Sequence, residues 1–329
     1  MSQLGIVAIG RNEGERLRRA LGSVVGRGHP VAYVDGNSTD GSAELARSLG
    51  AEVIVEDPAQ RNCAARARNA GFERVCQLDP DVRFVQFIDG DCEVVEGWLD
   101  EALRLFAERP DVALVTGRRR ERHPEQSPYN RLADIEWDMP IGEIEGSHGD
   151  VMVRAEAFRQ VGGFDPTVSV GEDYDLCVRL RKRGWTLLRV DAEMTLHDMA
   201  MTRFAQWWRR CVRSGYGFAE GAYLHGAPPQ RHWVREVRRL WFWGLAVPLA
   251  ILLLAGTAGP WGLLPALAYP LRAARVARRS RGAGLPPRDA WLYGAACVVS
   301  HFPQVVGALR YQWGRLLNLR RSIIEYKGT

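Results

Sequence analysis

The chain has 329 residues, 46% of them hydrophobic and 25% charged, with a formal net charge of +5. That composition describes a folded protein with room for one large or two modest domains, and it excludes a disordered or fibrous chain. Arginines gather around apolar segments in the last third, which points to an anionic membrane surface and away from nucleic acid. The cysteines at 63, 76, 92, 177, 211 and 297 show no CxxC pairing and no framework spacing, which fits reduced thiols in a cytosolic setting. The opening residues, MSQLGIVAIGRNEGERL, lack a basic region followed by a long apolar run, so no signal peptide is expected.

In chain order, Gly5 to Ile9 reads as a short buried strand, followed by Gly10-Arg11-Asn12-Glu13 and a basic helix through Leu21. A second strand, Val31 to Val34, runs into Asp35-Gly36-Asn37-Ser38-Thr39-Asp40-Gly41-Ser42, where Ser38 or Thr39 is placed to cap a helix beginning near Ser42. Val53 to Val55 is a third strand, and residues 60–70 are helical in composition, with Arg61, Arg66 and Arg68. A fourth strand, Phe84 to Ile88, precedes a helix over 98–108. Strand and helix thus alternate, which argues for a doubly wound, parallel α/β sheet. The first strand is not followed by GxGxxG, so a dinucleotide fold is disfavoured. Residues 112–117 form a further strand. The polar stretch 118–146 reads as a binding loop or a pair of short helices. A strand at 151–153, a helix ending at Val161, a helix opening on Gly171-Glu172-Asp173-Tyr174-Asp175 and a strand from Thr186 towards Leu196-His197-Asp198 complete this half.

The fourth strand ends abruptly in Asp89-Gly90-Asp91. A parallel sheet presents its chemistry at the carboxyl ends of its strands. Two carboxylates flanking one glycine are costly in a core but well suited to a divalent cation, because hard oxygen donors favour Mg²⁺ or Mn²⁺. The plainer alternative is a polar turn that caps the next helix.

The order of Asp35-Gly36-Asn37-Ser38-Thr39-Asp40-Gly41, Ala67-Arg68-Asn69-Ala70-Gly71, Asp89-Gly90-Asp91, Gly162-Gly163-Phe164-Asp165 and Gly171-Glu172-Asp173-Tyr174-Asp175-Leu176 resembles family 2 glycosyltransferases of the GT-A fold over roughly residues 4–215. The resemblance implies a GT-A domain, Rossmann-like with a mainly parallel sheet, that binds a nucleotide-sugar donor, with UDP expected. By the same resemblance Glu13 and Asp35 would meet the base and ribose, Arg68 and Asn69 would face the nucleotide, and Asp150 would line the sugar pocket. Asp91 and Asp89 would hold a divalent metal (Mn²⁺ or Mg²⁺), with His197 completing the set. Asp173 would serve as base in an inverting transfer, with Glu172 beside it binding the acceptor or exchanging roles with it. Asp175 and Arg179 read as structural. Gln206-Trp207-Trp208-Arg209-Arg210 lacks the tryptophan that follows arginine in processive members, so single-sugar transfer is expected.

Composition changes sharply in the last third, which divides the chain into a catalytic domain over 1–225 and an all-α, membrane-associated region over 226–329. Apolar segments run over 240–257, 259–271 and 290–309. Neither of the first two is long, since a spanning helix needs about 20 residues, and the less apolar third reads as a span, a re-entrant segment or an interfacial helix. Arginines 235, 238 and 239 precede the first pair and Arg272, Arg275, Arg278, Arg279 and Arg281 follow it, so a hairpin with both ends cytosolic is expected. Together these features predict a transferase acting on a hydroxyl of a lipid-linked or glycan acceptor at the cytosolic face of a membrane, the bacterial inner membrane being the expected one. The alternatives are a polyprenyl-phosphate sugar synthase, a nucleotidyltransferase and a catalytically silent nucleotide-binding scaffold.

Overall fold

The computed structural model describes residues 3–59 and 62–317. Arg61, placed by composition in a helical segment, lies outside the described residues. The elements are β1 (Leu4–Gly10), α1 (Glu15–Gly22), β2 (Val31–Asp35), α2 (Ser42–Ser48), β3 (Glu52–Val55), α3 (Ala64–Leu78), β4 (Phe84–Asp89), β5 (Cys92–Val94), α4 (Trp98–Glu108), β6 (Val112–Glu121), α5 (Pro128–Glu136), β7 (Gly142–Glu143), β8 (Val151–Arg154), α6 (Ala155–Gln160), α7 (Glu172–Lys182), β9 (Thr186–His197), α8 (Phe204–His225), α9 (Val234–Trp241), α10 (Val247–Ala258), α11 (Ala268–Gly282), α12 (Pro287–Val299) and α13 (His301–Leu316). A π-helical turn, Phe242–Ala246, joins α9 to α10, and a 3₁₀ segment, Gly259–Leu267, joins α10 to α11. Two compact units result: Met1–Arg122 with Glu136–Met199, and His123–Ile135 with Ala200–Thr329.

The first unit is built on a sheet ordered β3-β2-β1-β4-β8-β6-β9-β5, with β7 beside β9. Strands β1 to β4 are parallel to one another, and β6 is parallel to β9. Strand β8 runs antiparallel to both neighbours, β4 and β6. The expected α/β GT-A-like architecture is therefore present, as a mixed and mostly parallel sheet with helices. Reversal of β8 has a local consequence. Its first residues, and not its last, lie at the edge where β1, β2 and β4 end.

The strands form because their apolar runs are covered on both faces: Leu4, Ile6, Val7 and Ala8 of β1 are fully buried, as are Val85, Phe87 and Ile88 of β4. Gln86 interrupts that run without penalty, since its amide donates to Phe87 O and accepts from Trp98 Nε1 at 2.8 Å. Helix α3 crosses β1 closely at Gly71, where a Cβ would come within 2.3 Å of Val7 Cγ1. Helix α2 is entered differently from expectation. Asp40 accepts from Ser42 N at 3.0 Å, while Ser38 is engaged by Asp35. The polar stretch after Gly117 also differs: β6 continues to Glu121, and only then do α5 and β7 follow.

In the second unit, contacts change at residue 200, whereas composition changes at 226. Helix α8 packs along α13, backbone against backbone: a Cβ on Gly307 would meet Val212 O at 1.9 Å, and one on Gly215 would meet Gln304 O at 2.0 Å. Two helical stretches, Val234–Gly282 and Pro287–Leu316, are long and apolar enough to cross a membrane. The first reverses direction near Gly259 (φ 61°). Its two legs touch, with Tyr269 OH donating to Trp243 O at 2.7 Å and Gly262 pressed on the Leu254 backbone. The segments 240–257 and 259–271 are thus legs of one hairpin, as expected, and 290–309 falls on α12 and α13.

The α8–α13 contact yields a direct test. Gly307→Ala forces the two backbones apart and is expected to lower stability by roughly 1–3 kcal/mol. Gly314→Ala, on the same helix with open space around it, should be neutral or slightly stabilising, because alanine favours helix. Thermal unfolding of the full chain in detergent separates the two variants.

Candidate active site at the carboxyl edge of the sheet

Strand register assembles the site. Gly10 of β1 pairs with Asp35 of β2, and Ile9 pairs with Asp89 of β4, so the ends of three parallel strands lie side by side. Val151 of β8 pairs with Phe87, which brings Asp150 to the same edge from the opposite chain direction. His197, the last residue of β9, sits between Cys92 of β5 and Glu121 of β6. Gly90 allows the close approach: a Cβ there would lie 3.1 Å from Ile9 O and 3.2 Å from Glu13 Cγ.

A buried arginine, Arg68, ties this edge to the start of α7. It lies on the buried stripe of α3 with Phe72 and Val75, where an unpaired charge is untenable. Its guanidinium donates to Glu172 Oε1 at 2.8 Å and to Asp89 Oδ1 at 2.8 Å, and lies 5.4 Å from the Phe164 ring centre. Burial works against its charge, but Asp89 and Glu172 outweigh burial and hold the group more firmly protonated than usual. Gly149 makes room, since a Cβ would lie 2.3 Å from Arg68 NH2. Beside Glu172, Asp173 is pushed up to about 7, first by desolvation and then by the charge of Glu172.

A second arginine, which the sequence reading did not single out, completes the framework. Arg119 donates to Asp150 Oδ2 through Nε at 2.9 Å, lies 3.4 Å from Asp89 Oδ2, and stacks over Trp137. Asp150 is fully buried; it also accepts from Asp89 N at 3.1 Å and from Thr195 Oγ1 at 2.9 Å. Alternation along β6 carries the signal that finds Arg119: in Arg118-Arg119-Arg120-Glu121, Arg119 and Glu121 are buried and the other two are not. Ending that strand at Gly117 hid it.

Asp91 and His197 face each other at 3.4 Å (Oδ2 to Nε2), both almost wholly buried. The other ring nitrogen of His197 lies 3.6 Å from Glu121 Oε2 without a hydrogen bond, and the ring packs edge-on to Trp137. Among the described residues, Asp91, Cys92 and His197 form one cluster that could hold a metal ion, and Asp89, Cys92 and Asp150 form another. Burial pushes the Cys92 thiol well up, which disfavours the thiolate that a metal ligand needs. What remains in the first cluster is a carboxylate, a donor that suits Mn²⁺ or Mg²⁺, and an imidazole, a donor that suits later transition metals.

The other expected site residues have definite places. Asp35 is almost fully buried and accepts from Ser38 N at 2.7 Å, Ser38 Oγ at 2.6 Å and Tyr33 OH at 3.1 Å. Glu13 lies against Gly90 and 3.0 Å from Arg16. Asn69, expected to face the nucleotide, instead uses both ends of its amide on Phe164, donating to its carbonyl at 2.8 Å and accepting from its N–H at 2.9 Å. Asp150, expected to line the sugar pocket, is wholly internal for the reason given above. Arg179 donates to Asp175 at 2.7 Å and to the carbonyls of Val161 and Gly163, a structural role as expected.

Arg119→Met strands the buried Asp150 carboxylate and is expected to cost about 3–5 kcal/mol. Arg104→Met, which removes two exposed ion pairs on α4, should leave the unfolding midpoint unchanged. Denaturant unfolding of both variants compares them.

The Glycosyl transferase family 2 model matches residues 6–156, and the Glycosyl transferase family group 2 model matches residues 84–277. The pre-mycofactocin glycosyltransferase of Mycobacterium tuberculosis (strain CDC 1551 / Oshkosh) is 34% identical over 232 residues, which cover 65% of this chain and 46% of that protein. The chain thus spans about half the length of that relative. The N-acetylglucosaminyl-diphospho-decaprenol L-rhamnosyltransferase of the same organism is 28% identical over 236 residues, 60% of this chain and 76% of that one. Among solved structures, the mannosyltransferase PcManGT from Pyrobaculum calidifontis, in complex with GDP-Man and Mn²⁺, superposes with a TM-score of 0.58 at 18% identity, covering 95% of this chain and 88% of that one. That likeness concerns the fold. The family matches, which between them run from the first strand into α11, establish that this chain belongs to family 2 of the glycosyltransferases.

Proposed function

We propose that the chain is an inverting glycosyltransferase that moves a sugar from a nucleoside diphosphate donor to a hydroxyl of a lipid-linked or polysaccharide acceptor at a membrane surface. The observation that carries this reading is the Arg68 bridge, which holds Glu172 and Asp173 against the strand end bearing Asp89. In the transfer, Asp173 takes the proton of the acceptor hydroxyl while that oxygen bonds to the anomeric carbon. The bond from that carbon to the donor diphosphate breaks, the nucleoside diphosphate leaves, and the configuration inverts. Glu172 keeps Arg68 oriented and, by its charge, raises Asp173 so that it is a stronger base once deprotonated. Asp35 and Glu13, at the ends of β2 and β1, line the edge where the nucleoside would lie.

Asp91 and His197 would hold the divalent metal, with Asp89 oriented beside them by its two arginines. When bound, such an ion offsets the charge that grows on the leaving diphosphate. Carboxylates outnumber guanidiniums in this buried group, which favours a cation. UDP is the first base to try and GDP the second, since the mannosyltransferase that shares the fold was solved with GDP-Man.

Membrane attachment is supported by the hairpin. Leu249, Leu252, Leu253, Trp261, Leu263, Leu264, Leu267 and Leu271 are all more than half exposed. At roughly 2 kcal/mol for each such side chain, leaving them in water would forfeit as much as a domain's entire net stability of about 5–15 kcal/mol. Lipid removes that conflict. A hydroxyl acceptor is favoured over a lipid phosphate because Asp173 is raised into the range of a working base, which a phosphate acceptor does not need.

A donor screen following nucleoside diphosphate release, with the anomeric configuration of the product read by NMR, tests the whole reading. A retained configuration would sink it. Asp173→Asn is expected to lower kcat by about 10²–10⁴-fold with donor KM nearly unchanged, whereas a phosphate-acceptor synthase would tolerate the change. Because the base acts deprotonated, kcat/KM should fall about tenfold per unit below roughly pH 7 and level off above it. Glu172→Gln should move that midpoint down, by removing a charge that raises Asp173. Mn²⁺ binding followed by electron paramagnetic resonance should weaken in Asp91→Asn and in His197→Ala; unaltered binding in both would remove the metal from this site.

A further inference from the structure

The start of the membrane hairpin carries a recess that the transfer chemistry does not use. Arg235, Arg238 and Arg239 share one face of α9, and Arg231 precedes the helix. Together with Phe242 and Trp243 they line a cavity of about 620 Å³, within the size range of small-ligand sites. All four arginines are exposed, and none forms an ion pair with a described residue. In the sheet unit many arginines are matched, as Arg104 is with Glu101 and Glu108. Here like charges crowd together and Glu236, the acidic residue of α9, lies off their face by helical register.

The floor of the recess is fixed. Trp243 accepts from Tyr269 OH through its carbonyl and stacks beneath the Arg272 guanidinium at 4.7 Å. The π-helical turn begins at Phe242, and such turns concentrate at functional sites. Gly244 lets α13 close in behind, since a Cβ there would meet His301 O at 2.4 Å. Immediately beyond lie the exposed leucines of α10, Leu249, Leu252 and Leu253. A cationic recess that opens onto an apolar leg matches a molecule with an anionic head and a hydrocarbon tail.

We propose that this recess binds a lipid through a diphosphate headgroup, the tail lying along α10. The charge count favours diphosphate over the single phosphodiester of a phospholipid. One phosphate is served by one or two guanidiniums, each pairing bidentately, and the remaining arginines would stay crowded and unmatched. A diphosphate offers oxygens enough for all four. This inference deepens the acceptor assignment above and rests on it: the acceptor would be a diphosphate-linked lipid, and this recess would bind its anchor.

The test uses the full chain and phosphatidylcholine nanodiscs that carry farnesyl diphosphate, phosphatidylglycerol at equal charge, or neither, with free pyrophosphate as competitor. Arg235→Gln/Arg238→Gln removes two charges from the recess, and Arg275→Gln/Arg279→Gln removes two exposed charges from α11. Wild type should bind the farnesyl diphosphate discs at least tenfold more tightly than the phosphatidylglycerol discs. The α9 variant should lose that preference and the α11 variant keep it. Free pyrophosphate should compete only weakly, because it has no tail. Equal binding to both anionic discs, equal losses in the two variants, or competition by pyrophosphate as strong as by the lipid would each overturn the proposal. Metal-dependent hydrolysis of the nucleotide-sugar, read on the same samples, keeps the two ideas apart. Hydrolysis without lipid preference defeats the recess alone, and lipid preference without donor turnover defeats the transferase reading.

Discussion

The site depends on one buried cation. Arg68 sits on the core stripe of its helix, where a lone guanidinium would be several kcal/mol out of place, and two carboxylates from distant parts of the chain repay its desolvation. The dependence is mutual. Asp89 lies at the end of a strand and Glu172 at the start of a helix, and only the guanidinium between them makes their proximity stable. Arg119 repeats the arrangement one layer further in, with Asp150 as its principal partner. Together the two arginines turn a set of strand ends into one rigid acidic array.

That array is incompletely neutralised, and its excess of negative charge explains its chemistry. A proton relieves part of the excess, which is why Asp173 is held protonated to higher pH than an ordinary aspartate. The facing pair of Asp91 and His197 is where a divalent cation would relieve another part. The raised Asp173 and the cluster that could hold a cation thus have a common origin in desolvated carboxylates. The helical unit obeys a different constraint. Its hairpin is apolar on the outside and its glycines, at 244, 262 and 307, bring backbones together where side chains would hold them apart. Cohesion comes from close backbone packing while the leucines face outward, the reverse of the sheet unit.

Much of this was legible from residue order. Alternating strands and helices announced the α/β sheet, and the strand that stops at Asp89-Gly90-Asp91 marked its working edge. Helix α4 is found at 98–108 as expected, because Trp98, Leu99, Ala102 and Phe106 give it one continuous apolar face. Asn69 and Asp150 have internal partners for a common reason. Short polar side chains near a motif look like ligand contacts in sequence, but an amide that meets a backbone turn, or a carboxylate that meets a buried arginine, is satisfied internally. Arg119 was missed because a run of three arginines reads as solvated loop until strand alternation turns the middle one inward.

The sequence by itself determined the class of fold, the identity of the acidic edge and the apolar hairpin, since each rests on local periodicity or composition. Tertiary structure decided which polar groups answer one another. Arg68 and Glu172 are separated by 104 positions, and Asp91 and His197 come together only because β5 and β6 flank β9 in register. Such pairings follow from strand order and strand direction, above all the reversed β8, and those depend on how buried surfaces fit across the whole sheet. Local preference carries no information about that fit.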